Sequence, residues 1–221
     1  MVPEQPSIHL LGLRIDEPIT TLTDLMVSGV CLYAFFKTNK LKQTKVMVFL
    51  KYYFLSMAAA TAIGGIIGHA FFYAFNFYWK LPGWLTSMFS VALLERACIE
   101  KVRTLIKPQT GKAFAIINTV ELITFVILTF TTLNFFFVEA HSAYGLLVVV
   151  SSFSFYNYRK TKNNGSKLFI YGVAVSAISA LFYMNEWSLH MWFNYLDISH
   201  VFMTFAAYLF YRGALKIDKD D

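Results

Sequence analysis

Long apolar stretches broken by short basic segments set the rhythm of this chain. Seven stretches are long enough for a membrane-crossing helix, which takes about 20 residues. They run at about 20–37, 46–77, 82–100, 113–132, 134–158, 168–185 and 193–213. Pro18 and Pro82 stand where helices one and three begin, a position in which proline is tolerated. The second stretch is too long for one perpendicular crossing, so it tilts, bends or projects from the membrane. The fourth and fifth are joined tightly near TLNFFF. The pattern predicts an all-α, polytopic membrane protein with seven transmembrane helices.

No internal repeat is visible, and RKTKNNGSK at 159–167 is the one candidate flexible segment. The expected division is a short extracytoplasmic segment over 1–18, a transmembrane domain over 19–214 and a cytoplasmic tail over 215–221. Residues 1–18 lack a basic start followed by an apolar core, so no cleaved signal peptide is expected. With little chain outside the apolar stretches, any chemistry must be built between the helices.

Charge adds an orientation. Lys37, Lys40, Lys42 and Lys45 follow the first stretch, and Lys101, Arg103, Lys107 and Lys112 follow the third. Arg159, Lys160, Lys162 and Lys167 follow the fifth, and Arg212, Lys216 and Lys219 follow the seventh. The opposite side has essentially Arg14 and Lys80. By the positive-inside rule the amino terminus lies outside and the carboxyl terminus in the cytoplasm.

Composition agrees with this reading. Charged residues make up 14% and hydrophobic residues 57%, with Phe occurring 23 times; soluble domains carry about 25% charged residues. The net charge of +6 sits in topological blocks, so nucleic acid is not an expected partner; the lipid bilayer is. Cys31 and Cys98 fall in different apolar stretches and form no metal or redox motif. A retinal protein is excluded by the lack of a lysine within the seventh stretch, since Lys216 lies beyond its end.

The ionisable residues carry the candidate chemistry. Asp24 lies near the outer end of the first stretch, on a stripe with Thr20, Ser28 and Cys31. His69 lies late in the second, within IGGIIGHAFFYAF, where Gly64 and Gly68 form a GxxxG spacing that admits another helix backbone. Glu139 and His141 open the fifth, on different faces. His190, Asp197 and His200 open the seventh, and one continuous helix over 190–200 would align them. Four of the five histidines thus gather toward one leaflet. Deeper, Glu95 and Arg96 suggest an interhelical ion pair or a snorkelling pair, and Glu121 with Asn118 a buried hydrogen-bond pair or a proton relay.

Histidine and carboxylate together suit zinc, whose catalytic sites keep three protein ligands and one open position. His69, His200 and His190 are the candidate metal ligands, with His141 an alternative third imidazole. Asp24 and Asp197 are the candidate catalytic carboxylates, as a further ligand or as the group that orients an imidazole.

PITTLTDL at 18–25, GGIIGHAFF at 64–72, LERACIE at 94–100, FFVEAHSAYG at 136–145 and WFNYLDISHVFM at 192–203 resemble a family of seven-helix bacterial membrane proteins with no assigned activity. That resemblance implies a multi-pass protein of the bacterial inner (plasma) membrane. A histidine in the second span and an Asp/His group opening the seventh are similar to the alkaline ceramidase, adiponectin-receptor and Per1-like superfamily of membrane hydrolases. This resemblance implies zinc held by His69 and His200 and hydrolysis of a lipid-like substrate. Two positions depart from that superfamily's motifs: Thr204 stands where a second histidine of the seventh helix is expected, and Gly65 where a serine precedes the second-helix histidine.

The functional expectations are therefore a zinc-dependent membrane hydrolase, a non-enzymatic subunit binding a membrane protein partner, or a small-solute or proton transporter. The first two separate on geometry. A hydrolase needs His69 and His200 to face one ion, whereas a structural component pairs them locally and fills the space with Phe and Leu.

Overall fold

The computed structural model describes residues 5–217. A two-stranded antiparallel hairpin, β1 (Ile8–Leu10) and β2 (Leu13–Ile15), precedes the helices. Its two-residue turn, Leu11–Gly12, has positive φ at both positions, the backbone twist that suits tight hairpins. The helices are α1 (Pro18–Thr38), α2 (Lys45–Ile63), α3 (Leu81–Val102), α4 (Pro108–Thr132), α5 (Phe136–Ala143), α6 (Ser151–Thr161), α7 (Asn164–Met184) and α8 (Tyr195–Ile217). A π-helical segment, Gly64–Ala70, prolongs α2, and another, Tyr144–Val150, joins α5 to α6. Seven helical rods result among the described residues.

Local chemistry fixes the ends. Proline occupies the first turn of α1, α3 and α4, where its missing amide hydrogen has no intrahelical role. The Thr44 hydroxyl accepts from Met47 N to cap α2, and Asn163 Oδ1 accepts from Ser166 N to cap α7. The long second stretch ends earlier than its hydropathy suggests: helical geometry stops at Phe71, and two short 3₁₀ turns, Phe72–Ala74 and Phe77–Lys80, lead into α3.

Five rods, Pro18–Thr38, Lys45–Ala70, Pro108–Thr132, Phe136–Thr161 and Asn164–Met184, are long and apolar enough to cross a membrane. The others, α3 and α8, are interrupted by Glu95, Arg96, Glu100 and Lys101, and by Asp197, Arg212 and Lys216. These two are enclosed by their neighbours instead. Twelve residues of α3 are buried against four of the longer α4, so α3 has less need of an apolar outer face.

Helix α1 packs between α2 and α8, α3 against α2 and α4, and α7 along α8. The core they share includes Val27, Cys31, Leu50, Phe54, Leu94 and Phe210. Close approach of α7 and α8 depends on glycine. A Cβ on Gly165 would lie 2.6 Å from the Gly213 carbonyl oxygen, and one on Gly213 would collide with the Phe169 ring.

The segment before α1 folds back onto the end of α2. Asp16 N donates to the Ala70 carbonyl at 3.0 Å, and Tyr73 Oη donates to the Arg14 carbonyl at 3.0 Å. The hydropathy pattern marks this segment only as polar and extramembrane.

Gly213→Val should therefore lower stability by about 2 kcal/mol or more, the usual scale of overpacking. Gly29, which meets open space, is the control: Gly29→Ala should leave stability unchanged or raise it by up to about 1 kcal/mol. Thermal unfolding of both variants in detergent reads the contrast.

Candidate functional site

The inward face of α1 carries Thr20, Asp24 and Cys31, all buried, so the polar stripe read from the sequence does face the bundle. Asp24 meets α2 where the chain is glycine. A Cβ on Gly65 would sit 2.9 Å from Asp24 Cβ, and Thr21 Oγ1 donates to the Gly65 carbonyl at 3.2 Å. Gly64 also faces Asp24, whereas Gly68 faces open space. The close approach thus uses Gly64 and Gly65 rather than the GxxxG pair.

Two histidines converge on Asp24. His69, in the π-helical segment, places Nε2 3.8 Å from Asp24 Oδ2. His200, in the second turn of α8, places Nε2 3.5 Å from Asp24 Oδ1. The rings lie edge to face with centroids 6.3 Å apart. Each ring is held at its other nitrogen: His69 Nδ1 is 2.7 Å from Glu17 Oε2, and His200 Nδ1 is 3.2 Å from Thr23 Oγ1.

Those outer contacts fix the tautomers. The Glu17 carboxylate accepts, so His69 Nδ1 carries a hydrogen. The Thr23 hydroxyl hydrogen goes to the carbonyls of Ile19 and Thr20, each at 3.0 Å, so Thr23 Oγ1 accepts and His200 Nδ1 donates. In their neutral forms both imidazoles then turn a lone pair at Nε2 toward the Asp24 carboxylate. Three electron-pair donors facing one another repel unless a cation lies among them. The gaps of 3.5 and 3.8 Å exceed a hydrogen bond. They run to different oxygens of Asp24, and among the described residues Asp24, His69 and His200 do not bring one ligand atom each within 4.8 Å of one another. The residue types, two imidazoles and one carboxylate, are those that zinc takes, but a shared ion would require the two rings to close in on one Asp24 oxygen.

Glu17 is the residue that sequence reasoning missed. It sits at the N-cap of α1 with φ 42° and ψ 56°, a left-handed conformation unusual for a residue with a side chain. The strained backbone aims its carboxylate at His69. The only signal in the sequence is an acidic residue directly before Pro18.

Asp197 has a different place. Asn194 Oδ1 accepts from Leu196 N at 2.9 Å and Asp197 N at 3.3 Å, while Asp197 Oδ2 accepts from Asn194 N at 2.7 Å. This reciprocal arrangement is a capping box that starts α8. Gln5 Nε2 donates to Asp197 Oδ2 at 2.6 Å and Thr20 Oγ1 to Oδ1 at 2.9 Å. Both carboxylate oxygens are thus engaged in tying the N-terminal segment, α1 and α8 together, away from a ligand's role.

His190 stands outside the group. Helix α8 begins at Tyr195, so residues 190–200 are not one helix and the expected alignment fails. His190 is exposed, pairs with Phe193 in an isolated bridge, and accepts from Trp192 N at Nδ1. His141 is also elsewhere: it is fully buried beside Glu121, 2.7 Å from Nδ1 to Oε1. Arg96 bonds Asn118 and Thr119, and Asn118 also donates to Glu95, so the interhelical contact expected of Glu95 and Arg96 is made through the Asn118 amide of α4.

The molecule is thus an all-α bundle, compatible with an integral membrane protein, that encloses two separate ionisable clusters. The chain belongs to a family of unknown function, DUF6962, whose model matches residues 19–219. No curated protein and no solved structure matches it.

Asp197→Ala strands donors on three elements and should destabilise the fold by about 3 kcal/mol, with Asp197→Asn milder, in thermal unfolding. A pH dependence is expected at Glu17, which is held below the usual glutamate range, chiefly by its hydrogen bond with His69. That contact contributes fully above the unfolded pKa of about 4.3 and is lost as pH falls through the lower folded value. The unfolding midpoint of the wild type should exceed that of Glu17→Gln at about pH 5.5, and the gap should close below about pH 4. A gap that ignores pH would rule out the carboxylate–imidazole contact.

Proposed function

We propose that this is a seven-span membrane protein, amino terminus outside, whose His69–Asp24–His200 cluster near the outer leaflet is the centre of a zinc-dependent hydrolase acting on a lipid-like substrate. The observation that carries the reading is the orientation of the two imidazoles: both Nδ1 atoms are committed to outer partners, and both Nε2 atoms face one buried carboxylate. A purely structural pairing accounts for the Nδ1 contacts to Glu17 and Thr23 but gives no reason for both Nε2 atoms to face one buried carboxylate. Zinc held there would supply Lewis acidity, the property that activates water near neutral pH.

The chain's own residues have distinct tasks in this reading. His69, His200 and Asp24 hold the ion. Glu17 and Thr23 fix the tautomers and ring orientations, a task that typically affects metal affinity 10–100-fold. The segment from Gln5 to Glu17 lies over the site and would govern entry. A lipid-like substrate is favoured by the site's position at the end of apolar rods. The basic ends of the rods support the orientation. Lys101, Thr104, Leu105, Asn157, Thr161 and Lys162 line one cleft, at the end of the bundle away from His69.

A proton shared along Glu17, His69, Asp24 and His200 is the competing occupant, and it would fit the transporter reading. Metal content by mass spectrometry separates them. The wild type should carry zinc, with one equivalent per chain lost on His69→Gln, His200→Gln or Asp24→Asn, together with turnover of lipid amides or esters. Identical metal content in wild type and all three folded variants would overturn the reading.

A further inference from the structure

A second cluster lies deeper in the bundle and on different helices. Glu95 of α3, Glu121 midway along the 25-residue α4 and His141 of α5 each offer one ligand atom, all within 4.8 Å of one another. Glu95 and His141 are fully buried, and the Glu121 side chain is 10% exposed.

The protons in this cluster can be counted. His141 Nε2 lies 2.9 Å from the Met88 carbonyl oxygen. A carbonyl only accepts, so Nε2 carries a hydrogen. His141 Nδ1 lies 2.7 Å from Glu121 Oε1, so one proton is held between them, and an incoming ion would displace it. Asn118 Nδ2 donates to Glu95 Oε2 at 3.0 Å, and Arg96 Nε fixes the amide by donating to Asn118 Oδ1 at 3.1 Å. Two oxygens remain: Glu95 Oε1 and Glu121 Oε2 are buried without a hydrogen-bond partner. Orphaned buried carboxylate oxygens are rare and expensive, and here two of them flank one imidazole.

The backbone makes room for this arrangement. Gly145, in the π-helical segment after α5, stands against Glu95 Oε1 and Val91, and a Cβ there would collide with both. Helix-embedded π segments are frequent at functional sites.

We propose that Glu95, Glu121 and His141 form an inner binding site for one divalent first-row transition-metal ion. Two carboxylates neutralise its charge, and one imidazole makes the set suited to zinc, iron or manganese rather than calcium. The Met88 carbonyl fixes the imidazole tautomer, while Asn118, itself oriented by Arg96, holds one carboxylate and leaves its second oxygen for the ion. The site is independent of the outer one, sharing no residue with it.

The test uses the full chain in detergent, stripped with a chelator, re-equilibrated with Zn²⁺ and counted for bound zinc per chain. In the His69→Gln/His200→Gln background, which removes the outer site, about one zinc should remain. Adding Glu121→Gln should weaken that binding at least tenfold, and Glu95→Gln should do the same if the first variant fails to fold. Gly145→Ala, which removes no ligand and only crowds Glu95 Oε1, should weaken it as well. Zinc should also raise the unfolding temperature of the background protein, a shift that Glu121→Gln abolishes. Zinc binding unaffected by Glu121→Gln and Glu95→Gln, or none in the folded background protein, would overturn the proposal. Either result leaves the outer-site reading to its own variants.

Discussion

The burial of Asp24 between two imidazoles is the interaction on which this end of the bundle depends. A carboxylate taken out of water is tolerated only when opposite charge or hydrogen bonds replace its hydration. Here the groups that face the carboxylate, at 3.5 and 3.8 Å, are drawn from elements far apart in sequence. Helix α1 must approach α2 at Gly64 and Gly65, α8 must present His200 from its second turn, and the chain before α1 must strain at Glu17 to hold His69. Asp197 serves the same end indirectly, because its capping box and its bonds from Thr20 and Gln5 set where α8 begins relative to α1.

Both ionisable clusters coincide with departures from regular helix. His69 belongs to the π-helical segment Gly64–Ala70, and Gly145, which admits the Glu95 carboxylate, to the segment Tyr144–Val150. A π segment adds a residue to the turn and rotates the next stretch of helix, so one side chain can be re-aimed without breaking the rod. In a rod apolar enough to cross a membrane, where every backbone group in lipid must find a partner within the protein, this is a less disruptive way to shape a site than a loop.

The helical rods are largely legible in the sequence because the signals for them are local. Apolar length, proline at the helix starts and lysine blocks at the ends are each read within a few residues, and the limits of α1, α3 and α7 lie within a few residues of the hydropathy estimate. The inward stripe on α1 is legible for the same reason. Pairing across helices is not. The alignment of His190 with Asp197 fails because Asn194 restarts the helix, and Asp197, so placed, serves the cap. Glu17 gives no pattern to read, since its carboxylate reaches His69 only through a left-handed backbone. The inner cluster reads in the sequence as separate pairs, Glu95 with Arg96 and Glu121 with Asn118, because the register of α3, α4 and α5 is set by packing and no spacing encodes it.

Stability alone does not account for such an interior. Replacing buried ionic groups with apolar ones of similar volume is often neutral or stabilising, and an all-helical bundle this rich in Phe and Leu has no shortage of apolar filling. Asn118, Arg96 and the Met88 carbonyl are nonetheless arranged so that Glu95 and Glu121 each keep one oxygen without a partner. The outer site likewise commits every nitrogen of its two histidines except the pair that faces Asp24. In both places the surrounding hydrogen bonds fix orientation, and in the inner cluster they leave Glu95 Oε1 and Glu121 Oε2 without a partner. Local conflicts of this kind, set within an otherwise consistent fold, are where function is expected to reside, and the two clusters share a chemistry: carboxylate and imidazole groups held close together inside an apolar bundle.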